Sequence, residues 1–476
     1  MKNTKDNNER AVAVAILLEI TQKGAFNNIA LNRTLSQKTD WESHKKAFVT
    51  ELVNGTLRNL ILVDFIIEKF SQKPTSEKAE KSNKSKKSQK STQMKPIIRE
   101  ILRTAIYQIL YMSKVPHSAA VNEAVNLAKM HGFASMTGFI NGILRNIVRN
   151  HENLTNFDNL PFDHYLSLRY SFPIWLVERL IKQFGKSETE KFCAETHKPP
   201  SVTICTNLLK TDKITLKLAL EKQGIICEEI VDNETCLNVR KTSQLANIPQ
   251  FKQGHFFVMD SEANAVSHEL LADFNKFANF SNLAKNPNSQ NAKNAKNSAS
   301  ENLPHFPQIL DLCAAPGGKS FACAGIIQNK GNITACDIYP HKVELIAKTS
   351  ARLGTTCITA QQNDLLIFKE DWRQKFDFVL LDAPCSGFAT IRKRPDIKYS
   401  KTETDIQSLA KLQREMLTIA AEYVKIGGTL LYSTCTITNE ENDDNINWFL
   451  GKFPFEIVIK RQVNFGFYMA RCVRVK

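Results

Sequence analysis

The chain has 476 residues, 42% of them hydrophobic, enough for about two to four domains with sizeable cores. No apolar run approaches the roughly 18–20 residues of a membrane span, and the polar start Met1-Lys2-Asn3-Thr4-Lys5-Asp6 lacks a signal-peptide core, so the expectation is a cytoplasmic protein with no membrane partner. The net charge of +15 points to a polyanion, nucleic acid first, although residues 72–96, with eight Lys and two Glu, carry +6 of it.

Residues 10–150 read as helical. Ala11, Val14, Ala15, Leu18 and Ile20 begin an apolar face at helical spacing, and Phe48, Leu52, Val53, Leu57, Leu60, Ile61 and Phe65 repeat it. Segments 97–111, 116–128 and 138–148 complete an all-α bundle over residues 1–150. The Lys/Ser-rich insertion 72–96 interrupts it, with too few large apolar groups to offset the entropy of ordering. Residues 151–258 mix signals: helix at 175–184, strand at 201–205, helix at 214–224 and strand at 225–231. They are read as a small α+β domain. Residues 259–476 form the last domain, with an Asn-rich insertion at 275–302. Strands at 309–311, 332–337, 356–361, 377–382 and 428–435 alternate with helices at 319–328, 339–353 and 408–425. Such alternation implies an α/β domain with a parallel, doubly wound sheet.

Eleven cysteines, none before Cys193 and none in a Cys-x-x-Cys pair, fit neither a zinc site nor a disulfide framework. Most are expected to be small buried hydrophobes, and no metal is expected.

Ligands of doubly wound sheets bind outside the carboxyl ends of the strands, where strand order reverses. The strand ending at Asp311 opens into Cys313-Ala314-Ala315-Pro316-Gly317-Gly318-Lys319, whose small residues let backbone approach a ligand. The run lacks the spacing of a nucleoside-triphosphate P-loop. Asp337 ends the next strand, 19 residues beyond Gly318, where an acid commonly binds the ribose of an adenosine-type cofactor. A helix cap is its competing role. Asp364 follows the third strand and suits an adenine edge or, equally, a local turn. Asp382-Ala383-Pro384-Cys385 ends the fourth strand and Cys435 the fifth. Neighbouring strands lie about 4.8 Å apart, so both thiols and Asp382 can converge on one pocket. A single strand-end cysteine is ordinarily core packing. Two of them beside a cofactor turn point to covalent chemistry on an electrophilic ring.

These runs closely resemble the RsmB/Sun/Fmu family of 16S rRNA cytosine-C5 methyltransferases. Asp311 to Lys319, Asp382-Ala383-Pro384-Cys385-Ser386-Gly387, Ser433-Thr434-Cys435-Thr436 with Glu440-Glu441-Asn442, and Arg394-Pro395-Asp396-Ile397-Lys398 carry the resemblance. Asn54-Gly55-Thr56-Leu57-Arg58-Asn59, Pro116 to Val125, and Phe139 to Arg145 are similar to a NusB-type RNA-binding domain. Cys205, Phe388-Ala389 and Phe465 depart from the family pattern.

The resemblance implies a Rossmann-like class I methyltransferase domain, preceded by the small α+β domain and an all-α NusB-like bundle. It implies S-adenosyl-L-methionine held by Cys313, Ala314, Ala315, Pro316, Gly317, Gly318, Lys319, Asp337, Asp364 and Asp382. Cys435 would be the nucleophile, and Cys385 would assist product release. A thiolate adding to C6 of cytosine makes C5 enamine-like and able to take a methyl group. Loss of the C5 proton then expels the thiol, and an acid at Asp382 near N3 would stabilise the adduct. The expected partner is 16S rRNA, the expected state a monomer. Another RNA cytosine, or a role as an RNA-binding assembly factor with a vestigial catalytic domain, are the alternatives. The target base should be looped or flipped out, since C6 is shielded in a stacked helix.

Overall fold

The computed structural model of the chain describes residues 8–71, 94–155, 157, 159–231, 233–240, 245–274, 306–463 and 466–476. The two expected insertions and Phe465 lie almost entirely outside these residues. The chain divides into two compact units, Met1–Pro199 with Ile391–Ser400, and Pro200–Thr390 with Lys401–Lys476.

The first unit is helical: α1 (Glu9–Lys23), α2 (Asn27–Ser36), α3 (Ser43–Arg58), α4 (Leu60–Ser71), α5 (Pro96–Tyr111), α6 (His117–Met130), α7 (Thr137–Asn150), α8 (Phe162–Tyr170) and α9 (Ile174–His197). Local chemistry sets the ends of α1. The Asn8 side chain accepts from the Ala11 N–H at 2.9 Å, and Gly24 closes the helix at φ +67°. Val14, Leu62, Ile66, Ile98, Leu102, Ala124 and Leu144 meet in one core. Inside it the fully buried Glu100 accepts from Arg103 at 2.5 Å and from Thr21 at 2.8 Å, while Arg103 also grips Asp64 at 2.8 and 2.5 Å.

This unit extends past the boundary expected at residue 150. Helices α8 and α9 bury Leu166, Phe172, Leu176, Leu180 and Phe192, and the Ser171 hydroxyl accepts from the Leu62 N–H at 3.1 Å. The unit also takes in residues 391–400, which the sequence reading left in the last domain. The buried Lys398 ammonium donates to the carbonyls of Arg58 (3.1 Å) and Tyr170 (3.0 Å) and lies over the Phe172 ring. A ring face and two carbonyls replace the water that a buried ammonium loses.

The second unit holds two sheets. The smaller runs β2-β3-β1-β4, from β1 (Val202–Thr206), β2 (Ile226–Glu229), β3 (Cys236–Arg240) and β4 (Phe256–Val258), all pairs antiparallel. Helix α10 (Lys213–Glu221) follows β1 and α11 (Ser261–Leu270) follows β4. Cys205 and Cys236 are register partners and form a disulfide, so the expectation of isolated thiols fails for this pair. The spacing in sequence is 31 residues, and only the strand register brings them together. Phe257 and Met259 from this sheet share a core with Ala314, Phe321 and Ala335, so the expected division at residue 258 does not separate two cores.

The larger sheet runs β10-β11-β9-β8-β5-β6-β7. Its strands are β5 (Gln308–Asp311), β6 (Asn332–Asp337), β7 (Ile358–Gln362), β8 (Phe376–Asp382), β9 (Val424–Thr434), β10 (Phe455–Gln462) and β11 (Tyr468–Arg474). The helices that position the site are α12 (Gly318–Ile326), α13 (Pro340–Leu353), α14 (Glu403–Tyr423) and α15 (Asp443–Leu450). Strands β5 to β9 pair in parallel, and β11 is antiparallel to both its neighbours. From β5 the chain moves outward through β6 to β7 and returns to β8 on the other side of β5. The reversal puts the carboxyl ends of β5 and β8 side by side. The sequence reading ended at β9 and did not include β10 and β11. Among the described residues no helix is long and apolar enough to cross a membrane.

Candidate active site

The turn after β5 is shaped by two glycines. Gly317 has φ +106°, and a Cβ there would sit 2.4 Å from the Phe321 ring. At Gly318 a Cβ would meet the Met259 sulfur at 2.7 Å. The backbone of this turn therefore packs closely against α12 and Met259, and the left-handed φ of Gly317 disfavours any side chain there. The Ala314 N–H donates to the Cys336 carbonyl at 2.7 Å, tying the turn to β6.

Lys319 leaves this turn and reaches β8. Its ammonium lies 2.6 Å from Asp382 Oδ2 and 5.0 Å from the Phe467 ring centre. Burial alone would lower the Lys319 pKa, but the charge and hydrogen bond of Asp382 outweigh it and the net shift is upward. The other Asp382 oxygen accepts from the Ser433 hydroxyl at 2.7 Å, across the register pair Asp382–Ser433 of β8 and β9. Asp311 ends β5, accepts from Ser320 at 2.6 Å, and is pushed up to about 7 by burial.

The two thiols converge. Cys385 Sγ lies 3.2 Å from Cys435 Sγ and accepts from the Cys435 N–H at 3.3 Å. Cys435 is shifted below the ordinary thiol range, first by the Cys385 hydrogen bond, with Lys319 adding to it. Cys385 is shifted well above that range, first by the same hydrogen bond and then by burial. Of the two thiols, Cys435 is therefore the more readily ionised. Cys313 is different: burial raises its pKa, leaving it a neutral wall of the turn.

Asp337 and Asp364 lie farther along the same sheet edge. Asp337 Oδ1 accepts from the Tyr339 N–H at 3.0 Å, and Oδ2 lies 3.4 Å from the Lys342 ammonium. Asp364 Oδ1 accepts from the Leu366 N–H at 3.0 Å, a local turn. The Asn363 N–H donates to the Asp337 carbonyl at 3.1 Å and links the two loops. Asp311 Oδ1 and Asn363 Nδ2 are buried without a hydrogen-bond partner in the chain. Ile338 and Leu366, next to these acids, leave 46% and 43% of their surface exposed. A buried acceptor and a buried donor without partners, with half-exposed apolar side chains along the same edge, fit a ligand that joins an amino acid to an adenosine.

Sequence reasoning overlooked Lys342 and Ile338, and gave Ser433 no role beyond its place in the Ser433-Thr434-Cys435-Thr436 run. Only the pairing of β8 with β9 sets its hydroxyl against Asp382. Among the described residues no cluster of His, Cys, Asp or Glu is arranged to hold a metal.

Comparison with known proteins decides the family. The family description "16S rRNA methyltransferase RsmB/F" matches residues 301–466. "NusB family" matches residues 7–86 and 79–149, and the ferredoxin-like domain of RsmF/B-like methyltransferases matches residues 172–246. A relative from Bacillus subtilis (strain 168), "Probable ribosomal RNA small subunit methyltransferase B", is 32% identical over 452 residues, 94% of this chain and 90% of its own length. The chain belongs to the RsmB/Sun family. Another member, "Ribosomal RNA small subunit methyltransferase B" of Shewanella oneidensis, is 29% identical over 94% of this chain and 90% of its own length. The crystal structure of PH0851 shares the fold over 99% of this chain and 98% of its own, with a TM-score of 0.73 and 23% identity. NSun6 from Pyrococcus horikoshii, solved with SFG, matches 64% of this chain and 99% of its own, with a TM-score of 0.50 and 19% identity. As an RsmB/Sun protein this chain is a ribosomal RNA methyltransferase with a NusB-like domain, and its cofactor is S-adenosyl-L-methionine.

Proposed function

We propose that the chain methylates C5 of a cytosine in 16S rRNA through a covalent bond between Cys435 and C6. The observation that carries this reading is the pair of sulfurs 3.2 Å apart at the ends of β8 and β9, beside the Lys319–Asp382 ion pair. The residues from Cys313 to Lys319 cradle the cofactor, with Asp337 at the ribose, Asp364 at the adenine and Asp382 near the reacting end. Bound there, S-adenosyl-L-methionine supplies an electrophilic methyl group on a sulfonium.

Cys435 attacks as the thiolate. Its sulfur bonds to C6, and the C5–C6 π electrons shift through C4 to N3, which takes a proton that the Lys319–Asp382 pair supplies. Lys319 keeps Asp382 pointed at that nitrogen. The C5 carbon, now enamine-like, takes the methyl group. A water molecule takes the C5 proton, the C5=C6 double bond re-forms, N3 returns its proton to the Lys319–Asp382 pair, and Cys435 leaves as the thiolate. The Cys385 S–H hydrogen-bonds the departing sulfur and so promotes release. The cytoplasmic location and monomeric state expected from the sequence belong to the same reading.

The test uses 5-fluorocytosine-substituted 16S rRNA with S-adenosyl-L-methionine. Fluorine blocks the elimination, so wild type should accumulate a denaturation-resistant protein–RNA adduct that Cys435→Ala lacks. Confirmed RNA binding without any adduct would overturn the covalent mechanism or the choice of RNA.

A further inference from the structure

The loops that carry the two cysteines meet at one buried carboxylate that the chemistry above does not use. Glu441 lies six residues beyond Cys435, just before α15, and has no exposed surface. Its Oε1 accepts from the Ser386 N–H at 2.8 Å and from Gln413 Nε2 at 3.1 Å. Its Oε2 accepts from the Ser386 hydroxyl at 2.5 Å and from the Thr438 hydroxyl at 2.6 Å. Four donors fill the capacity of an ionised carboxylate. All four are neutral, and among the described residues no cation pairs with it.

The placement of those donors matters more than their number. Ser386 follows Cys385 in the chain, and Thr436 follows Cys435. Their hydroxyls lie 2.6 Å apart. A relay from Thr436 through Ser386 to Glu441 therefore ties each loop at the residue next to its cysteine. Gln413, from α14, also donates to the Pro384 carbonyl at 2.9 Å. Cys385 is thus pinned on both sides, at Pro384 by Gln413 and at Ser386 by Glu441. Tyr432 closes the frame, donating to the Glu441 carbonyl at 2.6 Å and to Gln413 Oε1 at 3.1 Å.

A glutamine would fill this space without the desolvation cost of a charge. A carboxylate does what an amide cannot: both oxygens accept, so the Ser386 N–H and Gln413 donate to one while the Ser386 and Thr438 hydroxyls donate to the other.

We propose that Glu441 is a positioning residue whose carboxylate binds the Cys385 loop to the Cys435 loop and fixes the sulfur–sulfur distance. The proposal rests on the covalent reading of Cys435. A misplacement of about 1 Å at a reacting group can cost about 100-fold in rate. Glu441→Ala should therefore lower kcat by about that factor and leave KM for S-adenosyl-L-methionine unchanged. Glu441→Gln, which keeps one acceptor oxygen, should recover part of the loss. Because Cys385 would no longer assist departure of Cys435, Glu441→Ala should also accumulate adduct on ordinary, unfluorinated 16S rRNA, and Glu441→Ala/Cys435→Ala should not. Should Glu441→Ala fail to fold, Ser386→Ala breaks the same relay and carries the same expectation at smaller amplitude.

A wild-type kcat in both Glu441→Ala and Ser386→Ala would overturn the proposal. So would a fall in kcat without adduct on ordinary RNA, which would mark Glu441 as a structural brace. Wild-type adduct on the fluorinated RNA separates those failures from failure of the covalent mechanism. Its absence would remove the mechanism and the proposal together.

Discussion

Each unit buries a glutamate completely, Glu100 in the helical unit and Glu441 in the sheet unit, and the two are held in opposite ways. Glu100 meets Arg103, which also binds Asp64, so charge is compensated within the bundle. Glu441 meets a backbone N–H, an amide and two hydroxyls. The first arrangement offsets desolvation by Coulomb attraction and braces helix against helix. The second leaves an uncompensated negative charge behind two sulfurs. Burial by itself does not distinguish structural from functional acids; the partners do.

The sharpest separation of the two regions comes from Cys435→Ala. Loss of the nucleophile should reduce methyl transfer by about ten-thousand-fold or more and leave the thermal unfolding midpoint close to wild type, measured by filter-bound label and by calorimetry.

Arg103→Met should do the reverse. Stranding Glu100 without its cation should cost about 3–5 kcal/mol of stability in chemical denaturation, with kcat of the folded fraction retained. Burial raises the Glu100 carboxyl above its ordinary value even with Arg103 present. A group raised on folding stabilises the fold at low pH and loses that contribution as pH rises through its folded pKa. The Arg103→Met penalty should therefore be larger at pH 8 than at pH 5, and the opposite order would refute this account of the network.

Cys385→Ala addresses the sulfur pair directly. The hydrogen bond from Cys385 is the first cause of the lowered Cys435 pKa, so its removal should move the pH inflection of Cys435 alkylation upward, toward an ordinary thiol. Mass spectrometry of iodoacetamide-treated protein reads the profile. An unmoved inflection would assign the activation to Lys319 alone.

The smallest effect is expected at Thr402. Its hydroxyl caps α14, and Asp405 returns a hydrogen bond to the Thr402 N–H at 2.8 Å. Thr402→Ala should cost about 1 kcal/mol and leave catalytic parameters unchanged, showing that the sheet unit can lose stability without losing its site.

The strand ends were legible because their chemistry is local. Asp311, Asp337, Asp382 and Cys435 each close a short apolar run, and period and punctuation alone locate them. The Thr402–Asp405 capping pair was equally local, yet the helix was read as starting at 408 rather than Glu403. Strands β10 and β11 escaped notice, and so did the membership of α8, α9 and residues 391–400 in the helical unit. Helical spacing in Trp175 to Phe184 says that an apolar face exists, not which core receives it.

The sequence by itself determined the family, the alternation of strand and helix, the glycine turn at Gly317 and Gly318, and the two cysteines. Tertiary structure decided which side chains meet: Cys205 with Cys236 across a register, Ser433 with Asp382 across two parallel strands, and Ser386 with Glu441 across two loops. Motifs report residues that are close along the chain. The disulfide joins residues 31 apart and the two hydrogen bonds join residues 51 and 55 apart, and no periodicity in one segment encodes its partner in another.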